Sequence, residues 1–203
     1  MAIPAHFPGL QYLEDETGQV SIEGSLQLYS HEGDLLDTYR IRIVESDHYP
    51  YAFPYVYETG GRLPINIDWH VFQDGHCCII SPPEESLLCK DGIDLSWFIR
   101  KQLIPYFFNQ KFRETHGYYL NERSHGTMGI LEYFYDLFGC HDHHRIARVL
   151  YHLLRYPQPE RTASCFCGSG LKFRKCCRSP YQVLCRFGLA EKEFYLQLIL
   201  KGT

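Results

Sequence analysis

Four cysteines near the C-terminus constrain this chain more than any other feature. Cys165, Cys167, Cys176 and Cys177 follow the pattern C-x-C-x8-C-C, with Gly168 and Gly170 between the two pairs. Four thiolates meet the tetrahedral preference of Zn²⁺ for soft sulfur ligands. A segment this short cannot bury a core, so a bound metal would supply most of its folding energy. The alternative is a run of buried or redox-active thiols, which this spacing disfavours.

The bulk composition indicates a globular chain. It has 203 residues, 45% of them hydrophobic, and a formal charge of -4. This size predicts one full domain with a small appendage. We place the domain at 1–156, a linker at 157–164, and the appendage, a zinc knuckle with a terminal helix, at 165–203. The acidic balance argues against a nucleic-acid binder. Because we find neither an export signal nor an apolar stretch long enough to cross a membrane, we expect a cytoplasmic protein. Of its nine cysteines, the four clustered over 165–177 then indicate metal binding rather than a disulfide framework.

The cysteine-rich segment resembles a known motif. Residues 165–177, Cys-Phe-Cys-Gly-Ser-Gly-Leu-Lys-Phe-Arg-Lys-Cys-Cys, are similar to the SEC-C motif nearly residue for residue. The resemblance implies a structural Zn²⁺ on the four cysteines and a docking element for protein partners. It covers about fifteen residues and implies nothing about the rest of the chain.

Periodicity predicts an α+β fold. Apolar and charged residues alternate over 39–43, and Leu26 and Leu28 give a shorter alternation, as in half-buried strands. With a further strand around 55–57, these segments predict an antiparallel meander of about four strands that packs on helices. An irregular loop follows over 59–93. We expect helices at about 95–115, where Pro105 would kink or divide the helix, and at 127–138, 143–155 and 189–200.

Two adjacent cysteines lie in the middle of the long loop. Cys77 and Cys78 follow Gly75 and stand near several histidines, in the stretch 68–80. An imidazole favours the thiolate form, and a glycine permits close approach of another chain. These features suit a nucleophile, but the same residues equally suit buried packing. The local sequence alone leaves the two readings balanced.

A second resemblance favours the nucleophile. Residues 49–56, Tyr-Pro-Tyr-Ala-Phe-Pro-Tyr-Val, are similar to a signature of ubiquitin-conjugating enzymes. Counting back from Gly75, residues 68–70 fill that family's His-Pro-Asn triplet and Cys78 falls on its catalytic cysteine. The resemblance covers about residues 20–155 and implies a ubiquitin-conjugating-enzyme-like meander. His70 stands where the family has the asparagine that supports the oxyanion, and Trp69 replaces the proline. An approach loop longer by about four residues and a missing long N-terminal helix also depart from the family.

Three shorter segments resemble a bacterial subgroup. Residues 7–10, 58–64 and 124–130 look like segments of the conjugating-enzyme-like proteins associated with antiphage cyclic-oligonucleotide (CBASS) synthases. That resemblance implies a thioester between Cys78 and the C-terminus of a cyclic-nucleotide synthase or a ubiquitin-like protein, followed by transfer to an amine. It gives His70 the oxyanion role. No cofactor would join the chemistry, since the zinc is structural.

Other histidines leave alternatives open. His125 lies at an expected helix start, where it either acts on the incoming amine or caps the helix. His141, His143 and His144 beside Cys140 form either a second metal site or a solvated helix N-terminus, and we favour the latter because their ring directions do not converge. The rival to the enzyme is an inactive adaptor that binds a partner and docks through the zinc knuckle. No Walker loop and no G-x-S-x-G motif supports nucleotide or serine hydrolysis.

Overall fold

The chain forms two compact units. The computed structural model describes residues 3–120 and 122–201. One unit spans Met1–Glu122 and the other Arg123–Thr203. The division therefore falls inside the range 1–156 that we assigned to one domain. Each unit is described separately.

An antiparallel sheet dominates the first unit. Its strands are β1 (Leu10–Glu14), β2 (Val20–Tyr29), β3 (Leu35–Val44) and β4 (Tyr55–Glu58), adjacent in the order β1-β2-β3-β4. Every neighbouring pair is antiparallel. The predicted meander of four strands in an α+β fold is confirmed, whereas a relationship to conjugating enzymes remains a prediction.

The strand pattern explains which face of the sheet is buried. Successive side chains of a strand point to opposite faces. Tyr39, Ile41 and Ile43 on β3 are buried, and they alternate with charged residues. Ile22 on β2 is paired with Ile43, so the neighbouring strand presents apolar residues to the same face.

Strand β1 was not predicted from the sequence. Of its residues only Leu10 is buried, so it shows no alternation. Close backbone approach holds it: Ser25 N–H donates to the Gly9 carbonyl at 2.8 Å. A Cβ atom on Gly24, whose φ is 139°, would lie 2.0 Å from the Gly9 oxygen. Glycine is therefore required at this crossing.

Helices cover the buried face of the sheet. They comprise α1 (Ile3–His6), α2 (Pro82–Cys89), α3 (Leu95–Phe98) and α4 (Ile104–His116), and a π-helical turn over Ile99–Leu103 joins the last two. The rings of Phe107 on α4 and Tyr39 on β3 lie 4.5 Å apart, and those of Phe98 and Phe53 lie 4.8 Å apart. These contacts centre the core between the sheet and the helices.

The expected effect of Pro105 takes a particular form. In the helix interior, proline removes one main-chain donor and its ring crowds the preceding turn. Here the chain widens just before it, and Ile104 N–H donates to the Ile99 carbonyl five residues back. The α-helix then restarts with Pro105 in its first turn, where a missing donor costs little.

An ion-pair network ties β3 to α4. The Arg62 guanidinium lies 2.8 Å from the Asp37 carboxylate and 2.6 Å from that of Glu114. The same group stacks 4.0 Å above the ring of Tyr39. Lys111 adds a second cation 3.2 Å from Asp37.

The second unit is helical. It contains α5 (Gly126–Phe138), α6 (His143–Arg155), α7 (Arg178–Leu184) and α8 (Leu189–Lys201), with a short 3₁₀ turn at Phe173–Lys175. Asp142 caps α6 by accepting from Arg145 N–H at 3.0 Å, and Gly139 ends α5 with a φ of 60°. The predicted helices at 127–138, 143–155 and 189–200 are present within one residue at each end. Among the described residues, no helix is long and apolar enough to cross a membrane.

Candidate functional site

Cys77 and Cys78 lie on a small hairpin beside strand β4. Val71 is bridged to Cys77, and Gly75, with a φ of 90°, helps to turn the chain between them. Cys77 N–H donates to the Val56 carbonyl at 2.7 Å, which fixes the hairpin to the sheet. Cys77 is buried, with 5% of its surface exposed, whereas Cys78 is only partly buried. This difference in burial agrees with the rule that adjacent residues of an extended segment point to opposite sides.

Helix α4 supports the other arm of the hairpin. Tyr106 hydroxyl donates to the His70 carbonyl at 2.9 Å, and the Gln110 amide donates to the Trp69 carbonyl at 2.9 Å. Gln110 is fully buried, and its carbonyl accepts from the Tyr119 hydroxyl at 2.8 Å. A satisfied buried amide fixes the chain in one position, because breaking any of these bonds leaves a polar group without water.

Arg113 holds the start of the same segment. Its guanidinium donates to the Asp68 carbonyl. It also stacks 4.4 Å above the ring of Trp69 and 4.7 Å from that of Tyr119. All three main-chain carbonyls of the segment 68–70 therefore accept hydrogen bonds from side chains that lie on α4.

His70 has an unusual backbone conformation. Its φ of 51° lies in the left-handed region, which costs energy for a residue with a Cβ atom. A ring nitrogen of His70 lies within 4.8 Å of the Cys78 sulfur. Nε2 lies 3.7 Å from the Glu122 carboxylate, and the ring packs edge-on against Tyr119 at 4.8 Å. The structure therefore brings two of the predicted catalytic residues together, and their roles remain predictions.

Both thiols are poor acids in this environment. Burial raises the pKa of Cys78 to about 11, and the nearby Glu85 carboxylate adds to the effect. Burial likewise raises the pKa of Cys77 to about 12. Glu85 is itself partly buried on α2, where burial raises the pKa of its carboxyl and one oxygen accepts from Phe53 N–H at 2.9 Å. At neutral pH Cys78 is a thiol rather than a thiolate.

His125, the third predicted catalytic residue, belongs to the second unit. It occupies the N-cap position of α5, but its side chain makes no capping hydrogen bond to the helix. Its action on an amine remains a prediction.

The histidines at the start of α6 do not gather around a metal position. Among the described residues, no group of three potential ligands includes His141, His143 or His144. His143 instead bonds to the Tyr135 hydroxyl and stacks on that ring, and His141 also packs against Tyr135.

The four C-terminal cysteines converge. Their sulfur atoms all lie within 4.8 Å of one another. The Cys167 and Cys176 sulfurs are 3.5 Å apart, and those of Cys176 and Cys177 are 3.7 Å apart. A tetrahedron with metal–sulfur bonds of about 2.3 Å has edges of roughly 3.8 Å. The donor set and its spacing therefore fit one tetrahedral Zn²⁺.

Short main-chain bonds shape this knuckle. Cys165 N–H donates to the Leu171 carbonyl at 2.8 Å, and Cys176 N–H donates to the Phe173 carbonyl at 3.1 Å. Gly168 and Gly170 have φ values of 85° and 74°, so both occupy the left-handed region. The sequence brings the two cysteine pairs together by two tight turns that only glycine adopts readily.

Side chains of an arginine outside the motif and of a serine within it also contact the sulfurs. Arg145 on α6 donates through Nη2 to the Cys176 sulfur at 3.4 Å and through Nη1 to the Cys140 sulfur at 3.6 Å. The Ser169 hydroxyl lies 3.2 Å from the Cys176 sulfur. Burial acts to raise the pKa of Cys167, but hydrogen bonds from Ser169 and neighbouring cysteines outweigh it and lower the pKa to about 6.

Comparison with known proteins identifies this segment alone. The family model of the SEC-C motif matches residues 161–179, which contain all four cysteines. No curated protein and no solved structure matches the chain. The expected SEC-C motif is confirmed, and with it a segment of a zinc-binding type.

Sequence reasoning missed several residues that the structure places at these sites. Arg145 lies 31 residues before Cys176, and no spacing rule joins them. Glu85 was hidden because we assigned α2 to an irregular loop. Asp74 and His76 were visible as neighbours of Cys78, and their separation of two residues was the signal that could have singled them out.

Proposed function

We propose that this protein is a cysteine acyl carrier of the ubiquitin-conjugating type, with Cys78 as the thioester-forming residue. The observation that carries the proposal is the arrangement of the hairpin. Cys77 is buried in the core, Cys78 three residues after Gly75 is only partly buried, and a His70 ring nitrogen lies within 4.8 Å of the Cys78 sulfur. A fixed loop with one partly exposed cysteine next to a hydrogen-bond donor suits acyl transfer.

The chemistry proceeds in two transfers. The Cys78 sulfur attacks the carbonyl carbon of an activated C-terminus, the sulfur–carbon bond forms, and the leaving group departs with the proton of the thiol. His70 donates a ring N–H to the oxyanion of each tetrahedral intermediate. An amine then attacks the thioester, the carbon–sulfur bond breaks, and Cys78 recovers a proton as the amide is released.

The partner in this proposal is a protein C-terminus. The resemblance to CBASS-associated proteins supports the C-terminal residue of a cyclic-nucleotide synthase, or a ubiquitin-like protein, in antiphage defence. The four cysteines would hold a structural Zn²⁺ that takes no part in the transfer. The SEC-C match supports a docking role for the knuckle, whose basic residues Lys172, Arg174 and Lys175 are exposed.

A synthetic acyl donor tests the proposal without knowledge of the natural partner. A peptide ending in glycine, prepared as its mercaptoethanesulfonate thioester, is incubated with the protein. Intact-mass spectrometry then detects the peptide on the enzyme. We expect an adduct that added thiol removes, that is absent in Cys78→Ala, and that becomes a thiol-resistant oxyester in Cys78→Ser. Cys77→Ala is the matched control and should retain the thiol-sensitive adduct.

Two results would count against this assignment. Loss of the adduct in Cys77→Ala together with its retention in Cys78→Ala would shift the nucleophile by one residue. Retention of the adduct in both Cys77→Ala and Cys78→Ala would show that neither cysteine of the hairpin is the nucleophile.

The raised pKa of Cys78 favours a second candidate function. A thiol with a pKa of about 11 is almost entirely protonated at neutral pH, which suits an unreactive side chain. In this alternative the protein is an inactive adaptor that binds a partner and docks through the knuckle. It predicts no thiol-sensitive adduct with the wild-type protein.

A further inference from the structure

A carboxylate–imidazole pair lies in the turn just before Cys78. His76 Nδ1 and the Asp74 carboxylate oxygen are 2.6 Å apart, and His76 N–H lies 3.3 Å from the same oxygen. An ionised carboxylate only accepts hydrogen bonds, so Nδ1 carries a proton, and in the neutral form of the ring Nε2 is the acceptor. The pair thus has the tautomer that a general base needs.

Neighbouring rings fix the direction of this imidazole. The ring of His76 packs on Phe72, with centroids 4.4 Å apart, and edge-on against Tyr55 at 5.2 Å. Its backbone is bridged to Tyr57 on β4. Packing on two sides and a short bond to Asp74 leave the ring little freedom, so its Nε2 is held in place before any substrate arrives.

Strand alternation places His76 and Cys78 on one face of the hairpin. His76 is bridged to Tyr57 and Cys77 to Val71, as in an extended segment. Cys77 is buried in the core. Residues two apart on such a segment point to the same side, about 6.6 Å apart along the chain. The Glu85 carboxylate acts electrostatically on both groups, which places them in one neighbourhood.

We propose that His76, oriented by Asp74, is the general base that takes the proton of the amine attacking the Cys78 thioester. This inference rests on the proposed function and assigns the acid–base group that the function needs. Nothing in the resemblance to conjugating enzymes gives this position a role.

The spacing suits a base for the amine better than a base for the thiol. In the attacking geometry, the amine nitrogen lies about 3 Å from the thioester carbon. A base must then lie about 3 Å from that nitrogen, and hence several ångströms from the sulfur. His76 lies two residues from Cys78 on the same strand face, a spacing that suits a base several ångströms from the sulfur. His70 has a ring nitrogen within 4.8 Å of the sulfur, which suits a donor to the oxyanion better.

The proton transfers balance. The neutral amine nitrogen bonds to the carbonyl carbon, and its proton passes to His76 Nε2 while Nδ1 remains bonded to Asp74. The tetrahedral intermediate then collapses and the carbon–sulfur bond breaks. The imidazolium returns the proton to the departing Cys78 sulfur. No oxidant, metal or further reactant is needed.

The experiment separates loading from discharge. Wild type, His76→Gln, Asp74→Asn and His70→Gln are loaded with the glycine-ending peptide thioester, freed of excess donor, and mixed either with free lysine or with hydroxylamine. The lysine amine needs a base to take its proton as it attacks, whereas hydroxylamine is uncharged at neutral pH and reactive enough to attack a thioester without one. His31→Gln, an exposed histidine in the β2–β3 turn, is the matched control.

We expect His76→Gln to load normally and to react with hydroxylamine nearly as fast as wild type. Its discharge to lysine should slow by about 10²-fold or more, as for loss of a general base. Asp74→Asn should show a smaller loss with the same selectivity for lysine, and His31→Gln should show none. Rising pH should restore part of the lysine reaction of His76→Gln, since hydroxide then takes the proton of the attacking amine in place of His76.

Other outcomes would overturn the assignment. Equal discharge to lysine by wild type and His76→Gln excludes His76 as the base, and a lysine-selective loss in His70→Gln alone transfers the role to His70. If His76→Gln slows discharge to lysine and to hydroxylamine equally, the role of His76 is structural. Failure of wild type to load is a different result, because it rejects the acyl-carrier function itself and this inference with it.

Discussion

The Tyr106 hydroxyl donates a hydrogen bond to the main-chain carbonyl of His70 over 2.9 Å. The same oxygen accepts the N–H of Cys78 at 2.7 Å. One carbonyl therefore joins helix α4, the segment with the strained His70 backbone, and the residue that we propose as nucleophile. The position of Cys78 depends on a side chain 28 residues further along the chain.

Removal of this hydroxyl should weaken the hairpin. We expect Tyr106→Phe to lower the free energy of unfolding by about 1 kcal/mol, the usual net value of one hydrogen bond. Denaturant unfolding followed by circular dichroism measures the change. Tyr118→Phe, at an exposed ring, is the control and should leave the midpoint unchanged. Equal midpoints for Tyr106→Phe and wild type would show that the bond does not hold the loop.

Alkylation should distinguish the two adjacent thiols. The thiolate is the reactive form, and the pKa of Cys78 is raised to about 11. We therefore expect the rate of Cys78 modification by iodoacetamide to rise about tenfold per pH unit from pH 7 to 10, with no plateau in that range. Buried Cys77 should react far more slowly at every pH. Peptide mapping by mass spectrometry gives both rates, and a plateau near pH 8 would contradict the burial argument.

The knuckle should bind one zinc ion per chain. We expect Cys167→Ser to release the metal and disorder the C-terminal segment while the sheet unit stays folded, since a three-thiolate site binds more weakly. Elemental analysis measures the zinc content, and limited proteolysis locates the disorder. Cys185→Ser, at an exposed cysteine outside the cluster, should retain full zinc. Wild-type protein purified without chelator but lacking zinc would reject the metal assignment.

Arg145 should strengthen the hold on the metal from outside the motif. Its guanidinium donates to the Cys176 sulfur, and loss of such outer partners typically costs 10–100-fold in metal affinity. We expect Arg145→Gln to accelerate zinc release to a chromogenic chelator within that range, without loss of stoichiometry at saturating zinc. Arg155→Gln, exposed at the end of the same helix, should behave as wild type. A similar rate for both variants would reduce Arg145 to a surface contact.

The Asp37–Arg62 pair should make stability sensitive to acid. The Arg62 guanidinium holds the pKa of Asp37 well below its usual value of about 3.9. A lowered folded-state pKa stabilises the protein above about pH 4, and this contribution is lost as the pH falls towards the lowered pKa. Asp37→Asn should therefore be less stable than wild type at pH 7, and the difference should narrow below pH 4.

Thermal unfolding of wild type and Asp37→Asn at pH 7 and at pH 3 measures this difference in stability. Asp34→Asn, in the exposed β2–β3 turn, serves as the control. A difference between Asp37→Asn and wild type that stays constant from pH 7 to pH 3 would show that the carboxylate does not act through its charge.

The sequence predicted those elements whose signals are local. The alternation of Tyr39, Ile41 and Ile43 marks a strand because each residue meets the core directly. Asp142 and Gly139 mark helix ends because capping depends on neighbouring residues only. The four cysteines identify their motif by spacing alone, and the comparison bears this out.

The elements that escaped prediction depend on distant partners. Strand β1 is held by pairing with β2 and buries only Leu10, so its own residues show no period. Helix α2 begins at two prolines, which we took as loop residues although proline is favoured in a first helical turn. The contacts of Arg145 with Cys176 and of Tyr106 with His70 join residues 31 and 36 positions apart, and such pairings arise only when the tertiary fold forms.

The wide turn at Ile99–Leu103 sets the phase of everything that follows on α4. Each residue of an α-helix advances the chain by about 100°, so one residue more or less before Ile104 rotates the later side chains by that amount. Tyr106, Gln110 and Arg113 would then turn away from the carbonyls that they hold. Deletion of a single residue from this turn would give a smoother helix and would leave the Cys78 hairpin without its scaffold. A more regular helix would therefore lose the hydrogen bonds that hold the hairpin. The irregular turn is what orients the later residues of α4 towards it.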